Sequence, residues 1–470
     1  MANIRTKKLL ILSLISFIGI FIWNLNPPIG VSIQAIHMLA IFIFTVLGII
    51  LRPLSTGTMA LLGLTLTVST KTLTFAESFS GFVNPIVWLI VVAFFISRGF
   101  IKTGLGERLA YLIIQRLGKS TLGMGYGMIL TDLLLAPAIP SVTARVGGII
   151  YPIANSLAKA FGSEPYSHPR RLGSFLMKVT FQGSVITSGM FLTSMAGNPL
   201  IADIASNMGL NITWGTWALA ASIPGIISLS IIPLTLYKIY PPEIKSTPNA
   251  KSFAKDKLKE MGHIRLQEWI MIGAFILLIT LWILGPVIGM QAVVAALIGL
   301  VILLLTSVLS WDDVVQEKEA WNTLMWFAIL IMMASFLNKL GLTTWFSTFM
   351  KGHVQGLSWI AAFTALSLVY FYSHYFFASI VAHIGSMFSP FLILSVALGA
   401  PPMIAVFLLA FFSNLMGGLT HYACGPAPIF FGSGYVKITD WWKLGFYLSL
   451  INISLYLIIG SIWWNILGYY

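Results

Sequence analysis

Residues 141–152 read SVTARVGGIIYP, and residues 379–390 read SIVAHIGSMFSP. Ser141 matches Ser379, Ala144 matches Ala382, Gly147 matches Gly385 and Pro152 matches Pro390, all at one offset of 238 residues. The same offset pairs Trp88 with Trp326, each near the start of a long apolar run. Both runs end in a Lys-x-Gly-Leu turn, at 102–105 and 339–342. Short apolar strings match by chance, but an offset carried from Trp88 to Pro152 marks an internal repeat.

The repeat lies in a chain of 470 residues that is 58% hydrophobic and 9% charged. Soluble domains carry roughly 25% charged residues, so this surface is made for lipid. Apolar runs recur at 9–25, 34–51, 83–101, 215–237, 267–285, 291–310, 321–338 and 446–468. Such runs suit a hydrocarbon core about 30 Å thick. They lack the period-two alternation of a β-barrel, which predicts an all-α integral membrane protein. The run 9–25 is followed by Asn26-Pro27-Pro28 and reads as a retained first helix.

The formal charge of +13 is clustered at 1–8, 98–119, 159–178 and 238–265. With a cytoplasmic N-terminus these four clusters share one side, leaving Lys71, Lys339, Lys351, Lys437 and Lys443 for the other. That is the positive-inside pattern of a multi-pass cytoplasmic-membrane protein, and it calls for no nucleic-acid partner. Cys424 is the sole cysteine, which excludes an intrachain disulfide and cysteine metal sites.

The hydrophilic stretch 240–268 splits the chain as a cytoplasmic linker would. The copy around Ser141 lies between two basic clusters and must dip in from the cytoplasm and return. The copy around Ser379 follows Lys339 and Lys351 and enters from outside. Inverted repeats with interrupted helices recur in secondary transporters.

Ser141-Val142-Thr143 sits between the apolar halves 121–136 and 146–158, each too short to span. Pro137 and Pro140 break the helix before the serine, predicting a re-entrant hairpin with its tip at 138–144. Irregular backbone survives at that depth only where it lines a polar cavity or is buried in protein. The half-helix that starts at the tip offers free N–H groups and a positive dipole end to a carboxylate. Ser379-Ile380-Val381 repeats the arrangement. Arg145 and His383 hold equivalent positions, and an ionisable group at membrane depth usually has a task. They can offset the charge of a bound dianion; otherwise Arg145 forms a structural ion pair with Asp132, and His383 is a neutral core imidazole.

A second pair of interruptions follows the hairpins, at 187–200 and 416–430. Gly197-Asn198-Pro199 and Gly425-Pro426-Ala427 put small residues and proline into apolar sequence, where a ligand can approach the backbone. Plain proline kinks are the alternative. There is no phosphate-binding loop, zinc helix or nucleophile elbow, so neither direct ATP coupling nor a metal site or cofactor is expected.

Nearly the whole chain resembles the divalent anion:sodium symporter family, whose two re-entrant hairpin tips usually read Ser-Asn-Thr and are each followed by an unwound helix. The stretch 171–200, RLGSFLMKVTFQGSVITSGMFLTSMAGNPL, is most similar to the di- and tricarboxylate exchanger branch. The resemblance implies about eleven transmembrane helices plus two hairpins, a homodimer, and an elevator motion of a transport domain against a scaffold. In this chain the scaffold would be 1–120 and 269–356, the transport parts 121–238 and 357–470, and the linker 239–268. Both tip asparagines are absent: the tips read Ser141-Val142-Thr143 and Ser379-Ile380-Val381. Basic residues four positions after each tip serine replace what sodium would supply. The expectation is a sodium-independent dicarboxylate antiporter for 2-oxoglutarate, malate, succinate or similar anions. Sodium- or proton-driven symport is the alternative within the fold, and an intramembrane enzyme using Asp132 or His421 the alternative outside it.

Overall fold

The computed structural model describes residues 2–353 and 358–469. The expected boundary between 356 and 357 lies outside the described residues. Among those residues there is no β-strand, only an isolated bridge between Ser120 and Ser246.

Among the described residues, seven helices are long and apolar enough to cross a membrane: Ile33–Leu51, Pro85–Thr103, Trp214–Ile239, Leu266–Ile288, Lys318–Lys339, Ile380–Ala397 and Ile438–Ile466. Shorter apolar helices are Lys8–Trp23, Thr56–Ser69, Thr121–Leu135, Ala292–Leu305 and Pro402–Gly418. Two of these helices, Thr121–Leu135 and Ile380–Ala397, are hairpin arms. Gly173–Met190 with Gly197–Ser206, and Pro402–Leu415 with Ala427–Gly432, are interrupted segments. Each interrupted segment counts as one pass, so the described residues supply the eleven passes and two hairpins expected.

Local chemistry sets the hairpins. Thr121–Leu135 ends before Pro137 and Pro140, neither of which can donate the next helical hydrogen bond. The chain returns through a wide π-helical turn, Thr143–Ile150, and then Tyr151–Ala160. The second hairpin descends as Trp359–Tyr372 and returns with a matching wide turn at Ile384–Phe388. Wide turns of this kind concentrate at functional sites, and here both copies carry one.

The start of the first hairpin and the loop that follows its return both bond the linker. Thr121 N–H donates to the Lys245 carbonyl, and the Glu243 and Ile244 amides donate to the carbonyls of Arg170 and Arg171. The hairpin therefore enters and leaves at one face. In the second hairpin a Cβ at Gly399 would lie 3.4 Å from Trp359 Cβ, so its feet also touch.

The linker is held by charge. Arg108 Nε lies 2.5 Å from Glu268 Oε2, with Arg108 also donating to the Gly262 carbonyl. Nearby, Lys102 Nζ is 2.6 Å from Asp313 Oδ2. Partial burial opposes ionisation of Asp313, yet Lys102 and the Ser310 amide and hydroxyl outweigh it and hold its carboxyl down at about 2.

Tyr240, at the linker end of its helix, donates to Asp440 at 3.3 Å, and Ser174 donates to the Tyr435 carbonyl at 2.6 Å. Lys437, and with it Lys443 at the same end of the Ile438–Leu455 helix, thus belong to the linker face, not the opposite one. The inverted repeat reverses the side on which the last helix starts, so they add to the basic side.

Candidate functional site

The passes 2–103 and 266–339 pack together, and the hairpins pack around the interrupted segments and the Trp214–Ile239 helix. Between these two groups lies a cavity of about 500 Å³, a size that suits a small ligand. Ser141, Val142, Thr143, Ser379, Ile380, Val381, Gly425 and Pro426 all lie in its wall. Residues 238 positions apart thus come together from opposite ends of the molecule. The other helix group contributes Arg52, Phe94, Glu319, Thr323 and Trp326.

The two tips are built alike. Ser141 Oγ accepts the Ala144 amide at 3.2 Å, and Ser379 Oγ accepts the Ala382 amide at 3.3 Å. Each serine thereby caps its half-helix and keeps its own hydroxyl proton for a ligand.

Each hairpin is clamped by the other copy's interruption. A Cβ at Gly425 would collide with Thr143 Oγ1 of the first tip, and one at Gly147 would lie 2.6 Å from Ile429. Reciprocally, a Cβ at Gly197 would lie 2.6 Å from Ile384 of the second hairpin. At these three positions glycine leaves room for the side chains of Thr143, Ile429 and Ile384 to pack directly on the backbone. Asn414 Nδ2 donates to Asn198 Oδ1 at 2.8 Å, and Gln182 Nε2 to the Gly418 carbonyl at 2.9 Å, stitching the copies together.

Arg145 does not line the cavity. Its side chain is fully buried, with Nε 2.7 Å from Asp132 Oδ1. It donates to the Ile139 carbonyl at 2.6 Å, the Ser194 carbonyl at 2.8 Å and Ser188 Oγ at 3.2 Å. Asp132 also accepts from Thr187. The ion-pair alternative for Arg145 is therefore the arrangement present, and the guanidinium ties hairpin to interruption. Through Ser188, a cavity residue, it stands directly behind the wall.

His383 is also buried behind the wall, its Nε2 2.8 Å from Ser373 Oγ. The rings of Tyr370, His374 and Phe377 surround it at centroid distances of 4.6, 5.3 and 4.7 Å. Its neighbour His374 makes the bond to the second interruption, with Nε2 2.9 Å from the Ala423 carbonyl. Of the enzyme candidates, Asp132 is committed to Arg145, and His421 Nδ1 accepts from Trp442 at 3.1 Å.

Gly197, Asn198, Pro199 and Ala427 were expected in the wall and do not line it. Residues 191–196 form the first interruption, and Pro199 sits in the first turn of Gly197–Ser206. A proline breaks the helix before it but is tolerated in a first turn, where no donor is needed. Met195 and Ala196 reach the cavity instead. Asn198 is structural: its amide donates to the Ser188 carbonyl at 2.7 Å and the Phe191 carbonyl at 2.9 Å.

Lys178 was counted with the basic cluster 159–178, yet it is fully buried. Its Nζ donates to the Trp441 carbonyl at 3.2 Å and sits 4.1 Å from the Trp441 ring. Among the described residues no carboxylate pairs with it. The available signal was a lone lysine flanked by Met177 and Val179 within an apolar helix.

Paired hairpins and paired interruptions around one cavity with serines at both tips define a secondary-transporter architecture. The chain belongs to the family described as the sodium:sulfate symporter transmembrane region, which it matches over residues 6–470. It is 52% identical to the putative malate transporter YflS of Bacillus subtilis (strain 168), over 98% of this chain and 97% of that one. It is 51% identical to the chloroplastic dicarboxylate transporter 1 of Spinacia oleracea, over 96% of this chain and 80% of the relative. Among solved structures, MtrF of Neisseria gonorrhoeae aligns with a TM-score of 0.59 over 96% of this chain and 97% of its own, at 15% identity. That likeness concerns the fold alone.

Proposed function

We propose that the chain is a sodium-independent antiporter exchanging dicarboxylates such as 2-oxoglutarate, malate or succinate across the cytoplasmic membrane. The linker face is cytoplasmic, by its excess of Lys and Arg. A homodimer in which 121–238 and 357–470 move as elevator domains past a scaffold of 1–120 and 269–356 completes the proposal. The names of the relatives, malate transporter and dicarboxylate transporter, support the substrate class.

One observation carries the sodium-independent reading. Transporter sodium sites use free carbonyls of unwound backbone, and here the chain's own donors take several of the carbonyls at and beside the interruptions. Arg145 takes the carbonyls of Ile139 and Ser194, Asn198 those of Ser188 and Phe191, Gln182 that of Gly418, and His374 that of Ala423. The substrate carboxylate sits at the tips, bonded by the hydroxyls of Ser141, Thr143 and Ser379.

Charge explains why exchange is obligate. Arg145 and Asp132 cancel, Lys178 adds a positive charge kept against its burial by the Trp441 carbonyl and ring, and two half-helix N-termini add roughly half a charge each. A dianion brings that sum close to zero. The loaded domain crosses lipid cheaply, and the empty one carries uncompensated charge. The compensating charge in this reading comes from Lys178 and the half-helix ends, while Arg145, cancelled by Asp132, and His383 stand behind the wall as positioning groups and not as direct ligands.

Uptake of labelled 2-oxoglutarate into proteoliposomes tests this, with and without internal dicarboxylate, each with and without sodium. Uptake should need internal dicarboxylate and ignore sodium. Rapid sodium-driven uptake into empty vesicles would overturn the reading.

A further inference from the structure

We infer that Arg52 is a second carboxylate-binding group of the cavity and makes the site select dianions over monoanions. This rests on the dicarboxylate reading above. Arg52 and Glu319 are the charged residues of the cavity wall. Both come from the helix group opposite the hairpins. A Cβ at Gly57 would lie 2.9 Å from Asn322 Oδ1, which sets the turn after Arg52 level with the start of the Lys318–Lys339 helix. Arg52 thus stands toward the linker face, across the cavity from the tips.

The backbone at Arg52 is unusual. It caps the Ile33–Leu51 helix at φ 50° and ψ 47°, its N–H bonded to the Gly48 carbonyl. That left-handed conformation is disfavoured for a residue with a Cβ, and glycine is the usual occupant of such a cap. An arginine kept there is held against local preference. Nor is it held by an acid: no carboxylate pairs with Arg52 among the described residues, whereas Lys102, Arg108, Arg145 and Arg265 are all paired. The Arg52 side chain is exposed to the cavity as an uncommitted guanidinium.

The chemistry of a dicarboxylate fits that placement. One carboxylate is satisfied at the tips by serine hydroxyls and half-helix amides. The second projects to the far wall, where a planar guanidinium can receive both oxygens. A monoanion of equal length leaves Arg52 facing hydrocarbon and loses that pair. Glu319 in the same wall opposes the dianion and sets the opposite sign for its own removal.

The test is exchange kinetics in proteoliposomes for Arg52→Gln, Arg52→Gly and Glu319→Gln, with succinate as substrate and butyrate as competitor. Wild-type exchange is measured first; if no dicarboxylate exchanges, the functional reading falls and this inference with it. Given exchange, both Arg52 variants should raise the succinate KM about tenfold or more, as loss of a charged hydrogen bond does. Butyrate competition should stay unchanged, and Glu319→Gln should lower the succinate KM. Arg52→Gly relieves the backbone strain, so its thermal unfolding should be no lower than wild type, separating lost charge from lost fold. A wild-type ratio of succinate to butyrate affinity in both Arg52 variants would overturn the inference while leaving the exchanger reading intact.

Discussion

The two hairpins share a fold and differ in what stands behind them. In the first, Arg145 pairs with Asp132, and Thr187 donates to that carboxylate. At the same offset of 238, the second copy places His383 for Arg145 and Tyr370 for Asp132. Tyr370 shares a hydrogen bond with Ser413 at 2.7 Å, and its ring packs edge-on against His383. An ion pair with a hydroxyl partner has become a phenol and an imidazole with a hydroxyl partner. The geometry of tip and cap survives, so the charges are not what shapes the hairpin. Lys178, on a helix of the first copy, presses against Trp441 beside the second interruption. The first copy thus places a lysine beside the second copy's interruption, which has no lysine or arginine of its own.

Breaking the ion pair should have the largest effect. Asp132→Asn leaves Arg145 buried and uncompensated, which costs about 3–5 kcal/mol. Thermal unfolding of the purified protein should show it as a large fall in Tm or loss of folded material. Asp132→Asn with Arg145→Gln should recover most of that loss, since neither charge is then orphaned. A double variant no better than the single would mean that the pair shapes the first hairpin after all. Arg145→Ala alone belongs with the destabilised variants, because it strands Asp132.

Lys178→Met is expected to be gentler on the fold, having no carboxylate to strand, and to act on coupling. Without that charge the empty domain crosses more easily. Uptake into vesicles lacking internal dicarboxylate should rise about tenfold, equivalent to about 1.4 kcal/mol off the barrier. Exchange as strict as wild type would remove Lys178 from the charge balance.

Repeat, hairpins and tip residues were legible because they rest on local chemistry and on an offset: proline against helix, serine before a half-helix, one string matched to another. What was hidden depended on direction. Nothing local says that Arg145 points away from the tip toward Asp132, thirteen residues earlier. Proline at 199 carries the same sequence signal whether it interrupts a helix or opens one. Lys178 stood next to a basic cluster in sequence and inside the protein in space. Arg52 is hidden in the sequence because a helix-ending arginine is ordinary without its φ and the cavity beside it.

The smallest effect is expected at His383, and it is the one that decides how deep the asymmetry goes. The imidazole is buried among three rings and bonds Ser373 through one nitrogen, a role an amide can imitate. His383→Gln should keep the thermal stability within about 1.5 kcal/mol of wild type, in the range of one exchanged neutral hydrogen bond. It should also retain exchange. If the second copy works as a neutral counterpart of the first, the exchange rate of wild type and variant should follow the same profile between pH 5.5 and 8. A steep wild-type profile that flattens in the variant would make His383 a proton carrier. The two hairpins would then divide the work, with a permanent cation behind one tip and a titrating one behind the other.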